Sequence, residues 1–248
     1  MKKFNPCSLL ALALTTLFVG CDQSATVQSA SPPPPSAATQ AGVGDGQAST
    51  PAAPAPVHVD SNLLRRNFYV VFDGSGSMNE SKCAGNSTKI EVAKKALIGF
   101  EKSLNASDNI GLAAFDRAGN SERVILGTNN RSDFENQVNA VSADNGTPLY
   151  ESVRFAFDRL QEQMKKQLGY GEYHIVVVTD GEANGAAENG LIAQINKTPV
   201  VIHTIGFCIG VGHSLNQPGK TYYTDAQSPE DVKKGLQEVL AESDKFTK

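Results

Sequence analysis

The chain has 248 residues, 40% hydrophobic and 19% charged, with 22 Lys and Arg against 26 Asp and Glu for a formal charge of −4. That is enough apolar residue for a buried core, and there is no dense basic patch to grip a phosphate backbone, so nucleic acid is excluded as a partner. In order, the chain reads as a leader, a low-complexity stretch and a long segment of alternating strand and helix patterns.

Lys2 and Lys3 precede an apolar run at residues 9–19, too short to cross a bilayer comfortably. Residues 1–20 therefore read as a secretory signal peptide. It ends in Leu17-Phe18-Val19-Gly20-Cys21, which resembles a bacterial lipobox, with Phe18 where Leu or Val is usual. The resemblance implies a lipidated, palmitate-bearing Cys21 as the mature N-terminus. The alternative is an ordinary cleaved signal followed by an accidental cysteine. Asp22 resembles the inner-membrane retention signal of enteric bacteria. The expected location is the bacterial cell envelope, lipid-anchored and facing the periplasm, with the inner membrane favoured by Asp22. Loss of residues 1–20 removes two lysines and no acid, taking the formal charge from −4 to −6. So acidic a protein is held at an anionic bilayer by its lipid and not by electrostatics.

Residues 21–61, after the cysteine, are Ala, Ser, Thr, Gln, Gly and Pro, including Pro32-Pro33-Pro34-Pro35 and Pro51-Ala52-Ala53-Pro54-Ala55-Pro56. Such a composition cannot bury a core and reads as a disordered linker, stiffened locally toward polyproline II. A coil of about 38 residues would span on the order of 35 Å and hold a folded domain off the membrane.

Residues 62–248 read as that domain. An almost continuous apolar strand at 68–72 is of the kind found in sheets covered on both faces. Thr88-x-x-Glu91 is a capping box opening a helix whose apolar face is Ile90, Ala93, Leu97, Phe100 and Leu104. Strands at 110–115 and 123–126 flank the turn at 116–120, and so short a connection implies an antiparallel edge pair. Ser132-x-x-Glu135 is a second capping box, before Phe134, Val138 and Val141. Thr147-Pro148 opens a long helix, with Pro148 near its first position and Leu149, Val153, Phe157, Leu160, Met164 and Leu168 as the buried stripe. Then come a central apolar strand at 172–179, a short helix at 191–195, a strand at 200–207, a last strand at 221–224, and a helix capped by Ser228-Pro229-Glu230-Asp231 with Val232, Leu236, Val239 and Leu240 facing in. The expected fold is α/β, a three-layer α/β/α sandwich on a mainly parallel sheet with one antiparallel edge strand.

Three separated pieces carry oxygen ligands: Asp73-Gly74-Ser75-Gly76-Ser77 after the first strand, Thr147 at a helix start, and Asp180-Gly181 after the central strand. Each falls at the carboxyl edge, where open α/β sheets bind ligands. Their hydroxyls and carboxylates are hard donors suited to Mg²⁺, Mn²⁺ or Ca²⁺. The competing reading is that Asp73 and Ser77 merely cap a helix and Asp180 merely ends a strand. Together the pieces resemble the metal-ion-dependent adhesion site of von Willebrand factor type A domains, matching in residue type and order at Asp73, Ser75, Ser77, Thr147 and Asp180. The resemblance implies the Rossmann-like fold of that family, Mg²⁺ as the ion, Asp73 and Asp180 acting through water or hydrogen bonds to the serines, and a partner protein whose Asp or Glu carboxylate completes the metal shell. It implies binding without enzymatic chemistry.

Alternatives are an envelope assembly scaffold whose metal site is structural or unused, and a Mg²⁺-dependent phosphatase with Asp73 as nucleophile. The latter would need an aspartate at position 75, which is Ser75, and a lysine in a later role that no residue fills convincingly. Gly85-Asn86-Ser87-Thr88-Lys89 lacks the glycine and order of a phosphate-binding loop. Cys83 and Cys208 both fall near the carboxyl edge, and in an exported protein they are candidates for a disulfide; the alternative is one buried and one exposed thiol. Glu182 is the candidate for the site rim. His203 is expected to pack within its strand, His213 to lie in a solvated loop, Tyr222 and Tyr223 to pack with surface hydroxyls, Asp116 to serve its turn, and Lys165-Lys166 to form a solvated cationic helix end.

Overall fold

The computed structural model describes residues 58–182 and 190–246. The expected signal peptide, Cys21 and all but the last residues of the linker lie outside the described residues. The chain is already tied down at Asp60, whose amide donates to Lys166 O at 2.9 Å and whose carboxylate accepts from Gln163 Nε2 at 3.0 Å. Among the described residues no helix is long and apolar enough to cross a membrane.

The first strand, β1 (Arg66–Asp73), is buried along its whole length. Its side chains alternate between faces: Phe68, Val70 and Phe72 join one core, Tyr69 and Val71 the other. Helix α1 (Lys89–Ser103) follows, opened by the expected capping box between Thr88 and Glu91. Next are β2 (Asn109–Asp116) and β3 (Gly119–Gly127), antiparallel to each other, then α2 (Arg131–Ala140) and α3 (Leu149–Lys166). The remaining elements are β4 (Glu172–Thr179), the short α4 (Leu191–Ile195), β5 (Val200–Phe207), β6 (Tyr222–Ala226) and α5 (Pro229–Phe246).

The sheet order is β3-β2-β1-β4-β5-β6, parallel throughout except for β3. Helices α1, α2 and α5 cover one face and α3 and α4 the other, which makes the three-layer sandwich. The order reverses at β1, whose neighbours β2 and β4 lie on opposite sides. The crevice at the carboxyl ends of β1 and β4 is thus the topological switch point.

Some local expectations fail for identifiable reasons. α2 starts before Ser132: its cap residue is Asn130, which makes no side-chain cap bond and donates instead to Ile110 O and Ile125 O, at 2.7 and 2.6 Å. Packing of the cap residue against β2 and β3 has overridden local capping. Leu168 is 58% exposed and takes a left-handed φ of +53° beyond the end of α3, so the buried stripe stops earlier; Met164 is only partly buried. A Cys83–Cys208 disulfide joins the segment before α1 to the end of β5 across a separation of 125 residues. In the chain-entropy account so long a loop gives on the order of 5 kcal/mol of stability.

His203 packs within its strand as expected, buried against His174, with His203 Nε2 3.2 Å from His174 Nδ1. Burial, and secondarily the His174 charge, lowers its pKa from 6.5 to about 3. The unfolded chain therefore takes up a proton below pH 6.5 that the folded one refuses, and stability falls as pH drops from 6.5 toward 3 at roughly 1.4 kcal/mol per unit. Between pH 6.5 and 4.5 this group should cost about 2–3 kcal/mol. Urea unfolding at both pH values should show that loss reduced by about that amount in His203→Gln relative to wild type.

Candidate metal centre

Asp73 is the last residue of β1, and the chain then turns sharply into a short 3-10 turn at Gly76–Asn79. The turn is wedged between neighbours. Gly74 N donates to Phe115 O at 2.8 Å, Asp144 N to Gly74 O at 2.9 Å, and Gly76 N to Asn145 O at 3.1 Å. The loop carrying Ser75 and Ser77 is thereby fastened to the end of β2 and to the segment that leads into Thr147. A side chain at Gly74 would stand 2.7 Å from Asp116 Cβ, 2.8 Å from Val141 Cγ1 and 2.9 Å from Phe115 O. Only glycine fits there.

The Asp73 carboxylate is fully buried, and both its oxygens are engaged: Oδ1 accepts from Ser75 N at 2.7 Å, and Oδ2 from the Thr179 hydroxyl at the end of β4. Burial pushes its pKa up to about 6, against the lowering effect of hydrogen bonds from Ser75 and Thr179, and the Asp180 charge adds to the rise. Asp180 is divided. Its Oδ1 accepts from Ser77 Oγ at 2.7 Å and its Oδ2 from the Lys89 ammonium at 2.7 Å. Ser77 has one proton and gives it to Asp180, so along the 3.1 Å contact between Ser75 Oγ and Ser77 Oγ it can only accept. Thr147 Oγ1 reaches the same edge, 3.8 Å from where a Cβ on Gly181 would stand. The five expected residues, Asp73, Ser75, Ser77, Thr147 and Asp180, thus meet at the switch point.

Among the described residues no group of three or more His, Cys, Asp and Glu side chains is placed to hold a metal ion. Any cation here must lean on hydroxyls. The donors fit that requirement: neutral Ser and Thr oxygens with two carboxylates behind them, a hard-oxygen set for Mg²⁺, Mn²⁺ or Ca²⁺.

The sequence reading missed Lys89 as a part of this site. It is 3% exposed and bridges Asp180 and Glu80, at 2.7 and 3.0 Å. Burial works against its charge, but the two carboxylates outweigh burial and raise its pKa above the usual lysine value. The signal was present: a lysine at the first position of a helix faces the positive end of the macrodipole, so it needs a specific acid nearby. His213 corrects a second expectation. It is 2% exposed and not solvated. Leu215 N donates to its Nδ1 at 3.0 Å, which leaves Nε2 to donate to Gly181 O at 3.1 Å. The loop after β5 thereby braces the backbone beside Asp180. Glu182 accepts from Ser214 N and Oγ, at 3.0 and 2.7 Å, and so belongs to the same brace. Asp116 does more than close its turn: besides Ala118 N it accepts from Arg123 Nη2 at 2.6 Å and Ser142 N at 3.1 Å, fixing the approach to Thr147.

Residues 68–182 match the von Willebrand factor type A domain family. Across those residues the chain is similar to that family. It is 25% identical over 224 residues to YwmD of Bacillus subtilis, described as an uncharacterized protein, covering 80% of this chain and 92% of that one. Its fold resembles a von Willebrand factor type A protein from Catenulispora acidiphila (TM-score 0.57, 16% identity, 72% of this chain and 42% of that one). It also resembles the SpRpn10 VWA domain (0.54, 15%, 71% and 95%) and the manganese-loaded TRAP protein of Plasmodium vivax (0.51, 17%, 70% and 74%). At these identities the three likenesses speak to the fold alone.

The two glycines of the serine loop should behave oppositely. Gly74→Ala drives a methyl against backbone and Cβ atoms and should cost about 3 kcal/mol, whereas at Gly76 a Cβ meets nothing nearer than 3.8 Å and Gly76→Ala should cost under about 1 kcal/mol. Denaturant midpoints of the two variants decide this.

Proposed function

We propose that this chain is a cell-envelope lipoprotein that captures a protein partner through a divalent cation. Ser75, Ser77 and Thr147 would hold the ion, with Asp73 and Asp180 behind them; Mg²⁺ is the expected ion, and Mn²⁺ or Ca²⁺ suits the same oxygens. The observation that carries this reading is the meeting of five oxygen-bearing side chains, from three stretches far apart in sequence, at the switch point of the sheet. The manganese-loaded state of the Plasmodium vivax TRAP protein, a likeness in fold, supports it. A cation bound there supplies a Lewis-acidic position that an Asp or Glu carboxylate of the partner can fill. Ser77 serves this arrangement by spending its proton on Asp180, so that its oxygen faces a cation only as a lone-pair donor.

The geometry favours binding over catalysis. A nucleophilic carboxylate must reach its substrate, but Asp73 is fully buried with both oxygens already accepting hydrogen bonds. In the proposed role the lipid on Cys21 anchors the chain on the periplasmic side, and the chain enters the domain at Asp60, bonded to the C-terminal end of α3, at the sheet edge opposite the candidate centre.

Calorimetric titration of Mg²⁺, Mn²⁺ and Ca²⁺ into the full chain tests the metal. With so few charged donors the expected affinity is modest, Kd on the order of 10⁻⁴ to 10⁻³ M, at one ion per chain, and Ser75→Ala/Ser77→Ala should abolish it. Equal binding by wild type and the double variant, or none by either at millimolar metal, would defeat the proposal.

A further inference from the structure

Lys89 is the part of this site that a cation-binding role does not by itself explain. Its ammonium lies 2.7 Å from Asp180 Oδ2 and 3.0 Å from Glu80 Oε2, and its side chain is 4% exposed. Two effects oppose a cation in that position. It is the first residue of α1, where the helix dipole is positive, and burial strips its hydration. What holds it is the pair of acids. Glu80 is 60% exposed, so water and salt screen most of its charge. The inner set is then Asp73 and Asp180 against Lys89, a formal charge of −1.

We propose that Lys89 is a built-in counter-cation of the metal site. Its ammonium cancels the Asp180 charge, so that the inner residues together with a divalent cation carry a formal +1, the charge that one carboxylate from outside neutralises. Without Lys89 the same sum is zero and the pull on an external anion weakens. Lys89 thereby lowers affinity for the bare ion and selects a partner that brings an anionic group. This rests on the metal-centre reading and adds to it the origin of selectivity for an acidic ligand.

A simpler role, in which Lys89 only orients Asp180, predicts the opposite response. Lys89→Gln removes the charge but keeps an N–H donor for Asp180; Lys89→Arg keeps the charge. Mn²⁺ alone, titrated into the full chain and followed by electron paramagnetic resonance of the free ion, separates the two. A counter-cation requires Lys89→Gln to bind Mn²⁺ roughly tenfold or more tightly than wild type, with Lys89→Arg within about threefold of it. Thermal unfolding with and without Mn²⁺ supplies a second readout that tolerates a weakened fold: the upward shift on adding Mn²⁺ should be larger in Lys89→Gln than in wild type. Affinity and shift equal to or below wild type in Lys89→Gln, with wild type binding normally, would overturn this inference and leave the metal centre standing. Absence of Mn²⁺ binding by wild type would remove the metal centre and this inference with it.

Discussion

Two buried carboxylates at the ends of adjacent strands set the terms for the carboxyl edge of this domain. Asp73 ends β1 and Asp180 follows β4, and the parallel pairing of those strands forces them into proximity. Like charges in a poorly hydrated crevice are costly unless each oxygen is engaged. The surrounding architecture supplies the engagement: a backbone amide from Ser75, hydroxyls from Thr179 and Ser77, and the Lys89 ammonium. The tight serine turn, the first residue of α1 and the last residue of β4 are all drawn in by that demand. Gly74 is the steric counterpart, since the turn can deliver Ser75 and Ser77 only by pressing its backbone against β2 and Val141.

Periodicity made most of the fold legible because the sheet is covered on both faces. The uninterrupted apolar runs of β1 and β4 stand out for that reason, and the capping box at Thr88 and the seryl cap at Ser228 mark helix starts that the structure retains. Legibility failed where a side chain had a long-range partner to prefer. Asn130 abandons its capping role for carbonyls of β2 and β3, and no local pattern announces that choice. Leu168 fits the helical spacing of α3, but the chain has already left the helix in a left-handed turn.

The candidate site was legible in the same uneven way. Asp73, Ser75, Ser77, Thr147 and Asp180 could be picked out because each follows a strand or opens a helix, so chain topology alone sends them to one edge. Lys89 and His213 lay hidden because their importance is relational. A lysine on a capped helix ordinarily reads as surface charge; its first-turn position asks only for some acid, and the parallel packing of β1 on β4 is what reveals that the acid is Asp180. A histidine in a glycine-rich loop ordinarily reads as solvated, and only the return of the 210–216 segment over the end of β4 shows that it holds Gly181 O.

Those hidden contacts bear on how a site poor in charge could work at all. In a carboxylate-rich cage, Coulombic attraction tolerates loose geometry, because the attraction is long-ranged. Neutral hydroxyls give far less, and their contribution survives only if they are held in place before a ligand arrives, so that no ordering entropy is spent on them. The domain meets that condition from both flanks. On one side the Asp116 network and the Gly76–Asn145 bond position the serine turn against the approach to Thr147. On the other, His213 and the Glu182–Ser214 pair clamp the backbone beyond Asp180, and the Cys83–Cys208 disulfide ties the segment leading into Lys89 to the end of β5. Rigidity here substitutes for charge. The proposed partner carboxylate would then meet hydroxyls already in position, with Asp73 and Asp180 already committed to protein donors.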